Sequence, residues 1–427
     1  MSLRERRVGS RLALGGILLI SALTLMPTPE EAGRAAATPV YCILCGDTGS
    51  VDFLLNILLF IPLGLGLRLA GVSWRRTMLL CAILTCGIEL LQMKAIAGRD
   101  ASLGDVLANS TGGGLGALLG AEWRRLVRPA KVLVRPLAAG YALVLFALWC
   151  GTAWALGPDF PRTGRWFGAS APELGNFDQF LGEPLVVTAG GEALPVGPLH
   201  DQEQVTATLA ADPVMAFRAV LAGPTRALAP VGLIVDDTEG DVLLLGQDGS
   251  DLAFEVRMRA ARLKLRNPRV SLQDGLAGLP GDTVDAQGAL RNGAFELISR
   301  NGGQVRTRHL GLSASWGWNL AAPWDPVLGR GVHALTALWI AGLLFLLGYW
   351  SMLGESGTAV LAPVTTGILL GVVPWTAGFP PAHWSEWTAA AVGILLGTLT
   401  ARILRDKFLI SHRAEDELGS VTRSETT

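Results

Sequence analysis

Runs of about twenty apolar residues, the length that carries a helix across the hydrocarbon core of a bilayer, recur along this chain. They cover roughly residues 12–28, 51–71, 77–97, 102–121, 134–156, 333–353, 357–378 and 386–404, with the fourth and seventh the weakest. Between the fifth and sixth runs, residues 157–332 contain no such stretch and change period. There Leu252, Phe254, Val256 and Met258 alternate with Ala253, Glu255, Arg257 and Arg259, which predicts a half-buried antiparallel strand. The preceding Gly246-Gln247-Asp248-Gly249 supplies its turn. Phe295–Ser299, the turn Arg300-Asn301-Gly302-Gly303 and Gln304–Leu310 predict a second hairpin, because Asn-Gly accepts the positive φ angles of tight turns. The expected fold is a multi-pass α-helical membrane protein of about eight transmembrane helices with an inserted all-β sandwich domain.

Composition agrees with lipid as the main solvent: half of the 427 residues are hydrophobic and 17% are charged, too apolar for an ordinary soluble chain. A formal net charge of -1 leaves no global basic field to gather nucleic acid, and a nucleic-acid partner is not expected. Local basic clusters orient the helices. Arg4, Arg6, Arg7 and Arg11 precede the first run, Arg75 and Arg76 follow the second, and Arg124, Arg125, Arg128 and Lys131 follow the fourth. Arg402, Arg405, Lys407 and Arg413 follow the last, and an alternating count puts all four clusters on one side, which makes both termini cytoplasmic and the β domain extracytoplasmic. A retained first helix is the favoured reading, with a cleaved signal peptide, whose small residues are Ala35, Ala36 and Ala37, as the alternative.

The chain divides into an N-terminal helix and outer loop over 1–39, a membrane unit over 40–130, a fifth helix over 131–156, the β domain over 157–330, three C-terminal helices over 331–404 and a cytoplasmic tail over 405–427. The C-terminal helices carry no polar motif in this reading. Cys81, Cys86 and Cys150 lie in apolar runs and read as packing residues. Cys42 and Cys45 form a C-x-x-C in a short polar loop, which reads as a disulfide in an oxidising compartment, with metal binding as the alternative.

The second, third and fourth helices carry polar pairs that lipid should exclude: Asp52 with Asn56, Glu89 with Gln92, and Asp105 with Asn109. Each pair has a spacing of three or four residues, which puts both members on one helix face, and alternating helix direction brings the pairs to one end of the bundle. Arg99, in the loop before the fourth helix, is a counter-charge for Glu89 or Asp105. Ser102, three residues before Asp105, forms an N-cap signal. Gly112, Gly116 and Gly120 repeat every four residues, so a neighbouring backbone can approach closely. Two readings stand side by side: the polar groups satisfy one another and set helix register, or they form a site, as the cost of ionisable groups within a membrane favours.

These residues carry a family resemblance. Asp52-x-x-x-Asn56-x-x-x-Phe60-x-Pro62-x-Gly64, then Glu89-x-x-Gln92, then Gly98-Arg99-x-x-Ser102-x-x-Asp105-x-x-x-Asn109-x-x-Gly112 together resemble the VanZ-like membrane family over roughly residues 40–122. That resemblance implies the bacterial plasma membrane, envelope biology and a link to glycopeptide antibiotic resistance, without a defined reaction. Pro230–Arg259 and Leu310–Trp324, with the Trp316-x-Trp318 segment, resemble the concanavalin A-like, laminin-G-like jelly roll, which implies glycan binding. The carboxylate pattern E-x-D-x-x-E of hydrolytic relatives is absent from the sequence.

Other features read blandly. Asp236, Asp237, Glu239 and Asp241 form a solvated turn, with a calcium site as the functional alternative. Trp316, Trp318 and Trp324 fit an interfacial belt or sandwich closure better than sugar stacking. The five histidines, His200, His309, His333, His383 and His412, all lie outside the three polar helices. The expected partners are a membrane lipid or lipid-linked envelope precursor and an extracytoplasmic glycan. Whether the chain is an enzyme stays open: the alternative to a binding protein is catalysis on a lipid-linked substrate through Glu89, Asp105 and Arg99. No cofactor is expected beyond a divalent cation at the carboxylates. A transporter is disfavoured, because no polar path leads from the cluster to the opposite face.

Overall fold

The structure is a computed structural model that describes residues 2–26, 39–96, 101–161, 164–174, 177–238, 240–354 and 356–424. The chain forms two compact units. The first contains Met1–Pro129 with the short segments Ala260–Arg266 and Leu320–Asp325, and the second contains the remainder.

Among the described residues, four helices build the first unit: α1 (Leu3–Thr24), α2 (Gly49–Ala70), α3 (Trp74–Ala95) and α4 (Leu103–Val127). Helix α1 begins well before the predicted apolar run because Ser2 and Glu5 form a capping box, and charged residues oppose burial in lipid rather than helix formation. Glycine lets the helices touch backbone to backbone. A Cβ at Gly66 would meet the backbone of Ala13 on α1, and one at Gly112 or Gly116 would overlap the carbonyl oxygens of Ile57 and Ile61 on α2. Ala13, Ile20, Phe60, Leu63, Cys81 and Ile88 fill the remaining interior.

In the second unit, α5 (Lys131–Ala155) leads into two antiparallel sheets. The first holds β1 (Trp166–Ser170), β4 (Gly197–Pro198), β6 (Leu228–Asp236), β7 (Asp241–Asp248), β8 (Asp251–Val256), β9 (Arg269–Leu272) and the parallel edge strand β13 (Val327–Leu328). Their order is β13-β9-β8-β7-β6-β1-β4. The second holds β2 (Glu183–Ala189), β3 (Glu192–Ala193), β5 (Val214–Val220), β10 (Thr283–Arg291), β11 (Ala294–Asn301) and β12 (Gln304–Gly311), in the order β12-β11-β10-β5-β2-β3. Helix α6 (Gln202–Ala211) connects β4 to β5. The sheets pack face to face, as Phe254 of β8 and Phe295 of β11 show, with ring centroids 6.2 Å apart and an edge-to-face geometry.

The two predicted hairpins exist with shifted turns. β7 and β8 pair Asp248 with Asp251, so the loop is Gly249-Ser250, and Gly246 and Gln247 belong to the strand. β11 and β12 pair Asn301 with Gln304, and both loop residues, Gly302 and Gly303, take positive φ. The strand over 251–256 is buried on both faces, not one. Leu233, Leu244 and Ala253 on the face away from the second sheet are covered by a cluster that includes Phe177, and Glu255 on β8 is satisfied there by Arg269 at 3.1 Å. Clean half-buried alternation belongs to β5 of the second sheet instead.

The acidic turn is likewise not simply solvated. Asp236 is buried and accepts hydrogen bonds from the Thr238 and Gly240 amides, at 3.0 and 2.9 Å. It also pairs with Arg257 at 2.5 Å. Glu239 lies outside the described residues. Trp316 is buried, and Trp318 donates its indole N–H to Thr336 at 3.1 Å, so these two act in closure, while Trp324 is exposed.

Helices α7 (Val332–Leu353) and α8 (Trp384–Ser424) complete the second unit, with the carbonyls of Ala341 and Phe345 lying against Gly393 and Gly397. Between them the predicted seventh span is interrupted. Leu361–Gly367 passes through a π-turn at Ile368–Val372 into Val373–Thr376, consistent with Pro363 and Pro374 removing amide donors. Among the described residues, six helices are long and apolar enough to cross a membrane: Leu3–Thr24, Gly49–Ala70, Trp74–Ala95, Lys131–Ala155, Val332–Leu353 and Trp384–Arg405. Of the eight expected spans, the fourth and seventh do not meet both criteria. α4 has the length without the apolarity, because six of its residues are glycine, and the apolar helix Leu361–Thr376 is too short.

Candidate functional site

The polar pairs of α2, α3 and α4 sit where the N-terminus of α4 is capped. A helix starts with backbone amides that lack intrahelical acceptors, and here each acceptor is identifiable. Leu103 N–H donates to the Val40 carbonyl at 2.8 Å and Gly104 N–H to the Cys42 carbonyl at 3.1 Å. Asp105 N–H donates to the Ser102 hydroxyl at 3.0 Å, the side-chain cap that the Ser-x-x-Asp spacing predicts. Gly104 is required by this docking, since a Cβ would overlap the Ile43 carbonyl oxygen. Cys42 and Cys45 are joined as a disulfide, with Cα atoms 5.7 Å apart, and so close the loop that supplies these acceptors.

Ser102 also fixes the first carboxylate. Its backbone N–H donates to Glu89 Oε2 at 2.8 Å, and both residues are buried. One turn back along α3, Thr85 accepts from the Asn109 amide at 2.9 Å. On the opposite side of α4, Asn56 donates to Asp105 Oδ1 at 2.5 Å. Five of the candidate residues, with Thr85, thereby join α2, α3 and α4, through the Asn56–Asp105 contact and the Glu89–Ser102 and Asn109–Thr85 contacts.

Two candidates behave differently. Gln92 turns away from α4 and donates to the backbone carbonyl of Thr24 on α1 at 2.9 Å, and Asp52 is exposed near the start of α2. Arg99, with the rest of residues 97–100, lies outside the described residues. Thr85 was not singled out in the sequence, although its four-residue spacing before Glu89 places it on the same face. Thr24 acts through its main chain, which no side-chain pattern reveals.

The buried polar groups are incompletely satisfied. Asn109 Oδ1 and Gln92 Oε1 are buried and accept no hydrogen bond from the described residues, although buried amide oxygens ordinarily have a donor. Among the described residues, no three His, Cys, Asp or Glu side chains converge as metal ligands.

A second polar group lies in the second unit, where the sequence reading places no polar motif. Glu386, 3% exposed in the first turn of α8, accepts from Ser313 at 3.0 Å and from Ser315 at 2.7 Å. His333 and His383 stack nearby, with ring centroids 4.2 Å apart. Ser313 and Ser315 hold Glu386 in place, and its burial fits a joint rather than an open site.

No curated relative and no solved structure matches this chain. The family model VanZ/LLP1 matches residues 16–124. The segment that begins within α1 and runs through the capped, polar α4 is a VanZ-like domain, followed in the same chain by a β-sheet-rich region.

Proposed function

We propose that the chain is an envelope protein of the bacterial plasma membrane whose VanZ-like domain binds the head group of an amphipathic, lipid-linked envelope ligand. The observation that carries this reading is the pair of buried acceptors, Asn109 Oδ1 and Gln92 Oε1, that the described residues leave without donors. Hydroxyl and amide donors of a saccharide or peptide head group would satisfy them. The basic clusters support cytoplasmic termini and an external β domain. A groove of about 420 Å³ on the second sheet, lined by Thr188, Arg218, Asp285, Gln287 and Arg300, is consistent with a glycan contact there. Its Arg218–Asp285 pair, at 2.7 Å, presents charge and hydrogen-bonding groups on an otherwise flat strand surface. The link to glycopeptide resistance rests on the family resemblance.

Lipid analysis of the purified full-length protein tests the reading. The Asn109→Leu and Gln92→Leu variants are each expected to lose roughly tenfold in recovered ligand, as one lost buried hydrogen bond to a polar ligand predicts. Unchanged recovery in both would overturn it. Catalysis on the same ligand is the second reading, favoured by Glu89, whose Oε1 accepts no hydrogen bond from the described residues. It requires turnover of a polyprenyl-phosphate substrate that Glu89→Gln abolishes; binding without turnover would exclude it.

A further inference from the structure

The second unit contains a cavity of about 590 Å³ that the proposed function does not use. Its apolar wall comes from Ala153 and Trp154 at the end of α5, Leu290 and Leu312 from the second sheet and the segment after it, and Val373 and Phe379 beyond the π-turn. Among the described residues, its one charged lining residue is Arg259.

Arg259 is held in place by backbone. After α5 the chain turns and pairs with the end of the first sheet: Pro158 bridges Met258, and Asp159 N–H donates to the Arg257 carbonyl at 2.8 Å. Arg259 N–H returns a bond to the Gly157 carbonyl at 2.8 Å. Gly157 makes room for the side chain, since a Cβ there would stand 3.0 Å from the guanidinium carbon. That guanidinium lies 5.9 Å from the Trp154 ring centre.

The neighbouring arginine is already occupied. Arg257 faces Asp236 at 2.5 Å and Asp159 at 4.0 Å, whereas no carboxylate among the described residues pairs with Arg259. Its guanidinium is therefore a positive charge in the cavity lining that no described carboxylate neutralises. The level of the cavity is set by the two apolar helices that end at it, Lys131–Ala155 and Leu361–Thr376. Trp154 and Trp375 are 45% and 79% exposed there, in the position that amphipathic rings take at a membrane surface.

A cation with no carboxylate partner among the described residues, beside exposed tryptophans where apolar helices end, complements one kind of occupant. We propose that this cavity binds a single anionic phospholipid from the leaflet facing the β domain, with its phosphodiester on Arg259 and its acyl chains along α5 and Leu361–Thr376. The guanidinium would hold phosphate oxygens through paired N–H donors.

Native mass spectrometry of the full-length protein in neutral detergent, titrated with phosphatidylglycerol or phosphatidylcholine, tests this. One phosphatidylglycerol is expected to bind in preference to phosphatidylcholine. Arg259→Ala should weaken that binding roughly fivefold, the size of one basic contact with an anionic lipid surface, and Arg259→Lys should restore part of it. Ala377→Trp, which fills the mouth from an exposed position, should exclude both lipids while the lipid-free melting temperature stays unchanged. Equal binding of the two lipids by the native protein would overturn the proposal. So would undiminished phosphatidylglycerol binding in Arg259→Ala, or in Ala377→Trp should Arg259→Ala fail to fold.

Discussion

Replacement of Gly116 by valine is expected to unfold the VanZ-like domain in detergent, at a cost of about 3 kcal/mol or more. The reason is the identity of the obstacle. A Cβ at Gly116 would overlap the Ile61 carbonyl oxygen, and one at Gly64 would overlap that of Gly113, so neither clash can be relieved by rotating a side chain. Inserting bulk into a packed interior costs roughly 1–3 kcal/mol even where side chains can adjust; here α2 and α4 must separate. Separation also breaks the contact of Asn56 with Asp105, which spans the same two helices. Apolar helices in lipid gain little from hydrophobic burial against each other, so close backbone approach is a main source of their association. Gly87 provides the control, because a Cβ there meets nothing within 4 Å. Gly87→Ala should leave the melting temperature unchanged or raise it, alanine being the better helix former by about 1 kcal/mol. A Gly116→Val protein that melts and elutes with the wild type would show that α2 and α4 do not pack in this way.

The contrast between those glycines also shows what could be read from the chain and what could not. The Gly112, Gly116 and Gly120 spacing pointed to a close helix contact, but not to α2 as the partner, because a small-residue stripe describes only one side of an interface. The same glycines dilute the apolarity of α4, which is why it made a weak span while forming a long helix. The pairs Asp52–Asn56, Glu89–Gln92 and Asp105–Asn109 were legible as co-facial sets. Side-chain reach then decided their partners: Asn56 met Asp105, whereas Gln92 reached a main-chain carbonyl on α1.

Long-range partners were the least legible. Glu386 looked like an ordinary residue at the start of an apolar helix, yet Ser313 and Ser315, which lie 73 and 71 positions away, bury it. Alternation in the β domain found the strands but not their surroundings. A period of two assigns residues to two faces, and only the fold shows that both faces of β8 are covered. The turns moved by two residues in the first hairpin and one in the second for a local reason: the turn takes the positive-φ glycines, Gly249 in one and Gly302-Gly303 in the other, and polar residues before them stay in the strands.

Arg257→Met is expected to destabilise the β domain by roughly 3–5 kcal/mol, the range for removing one partner of a buried ion pair. Arg257 has 16% of its side-chain surface exposed, against 7% for Asp236 and 5% for Asp159. Methionine would fill much of the volume and leave the Asp236 carboxylate without this cation. Asp236 makes the effect dependent on pH. Burial alone would raise its pKa, but hydrogen bonds from the Thr238 side chain, the Gly240 amide, Arg257 and the Thr238 amide together hold it below the usual carboxylate range. A carboxylate whose folded pKa is depressed stabilises the fold fully above its unfolded pKa and loses that contribution as pH falls through the folded value. The native protein should therefore lose the Asp236 contribution only below about pH 4. In Arg257→Met the carboxylate loses a cationic donor, its folded pKa rises, and the loss begins at higher pH. Thermal melts of both proteins between neutral and mildly acidic pH measure this directly, and parallel pH profiles with a melting temperature unaffected by the substitution would show that Arg257 does not stabilise these carboxylates.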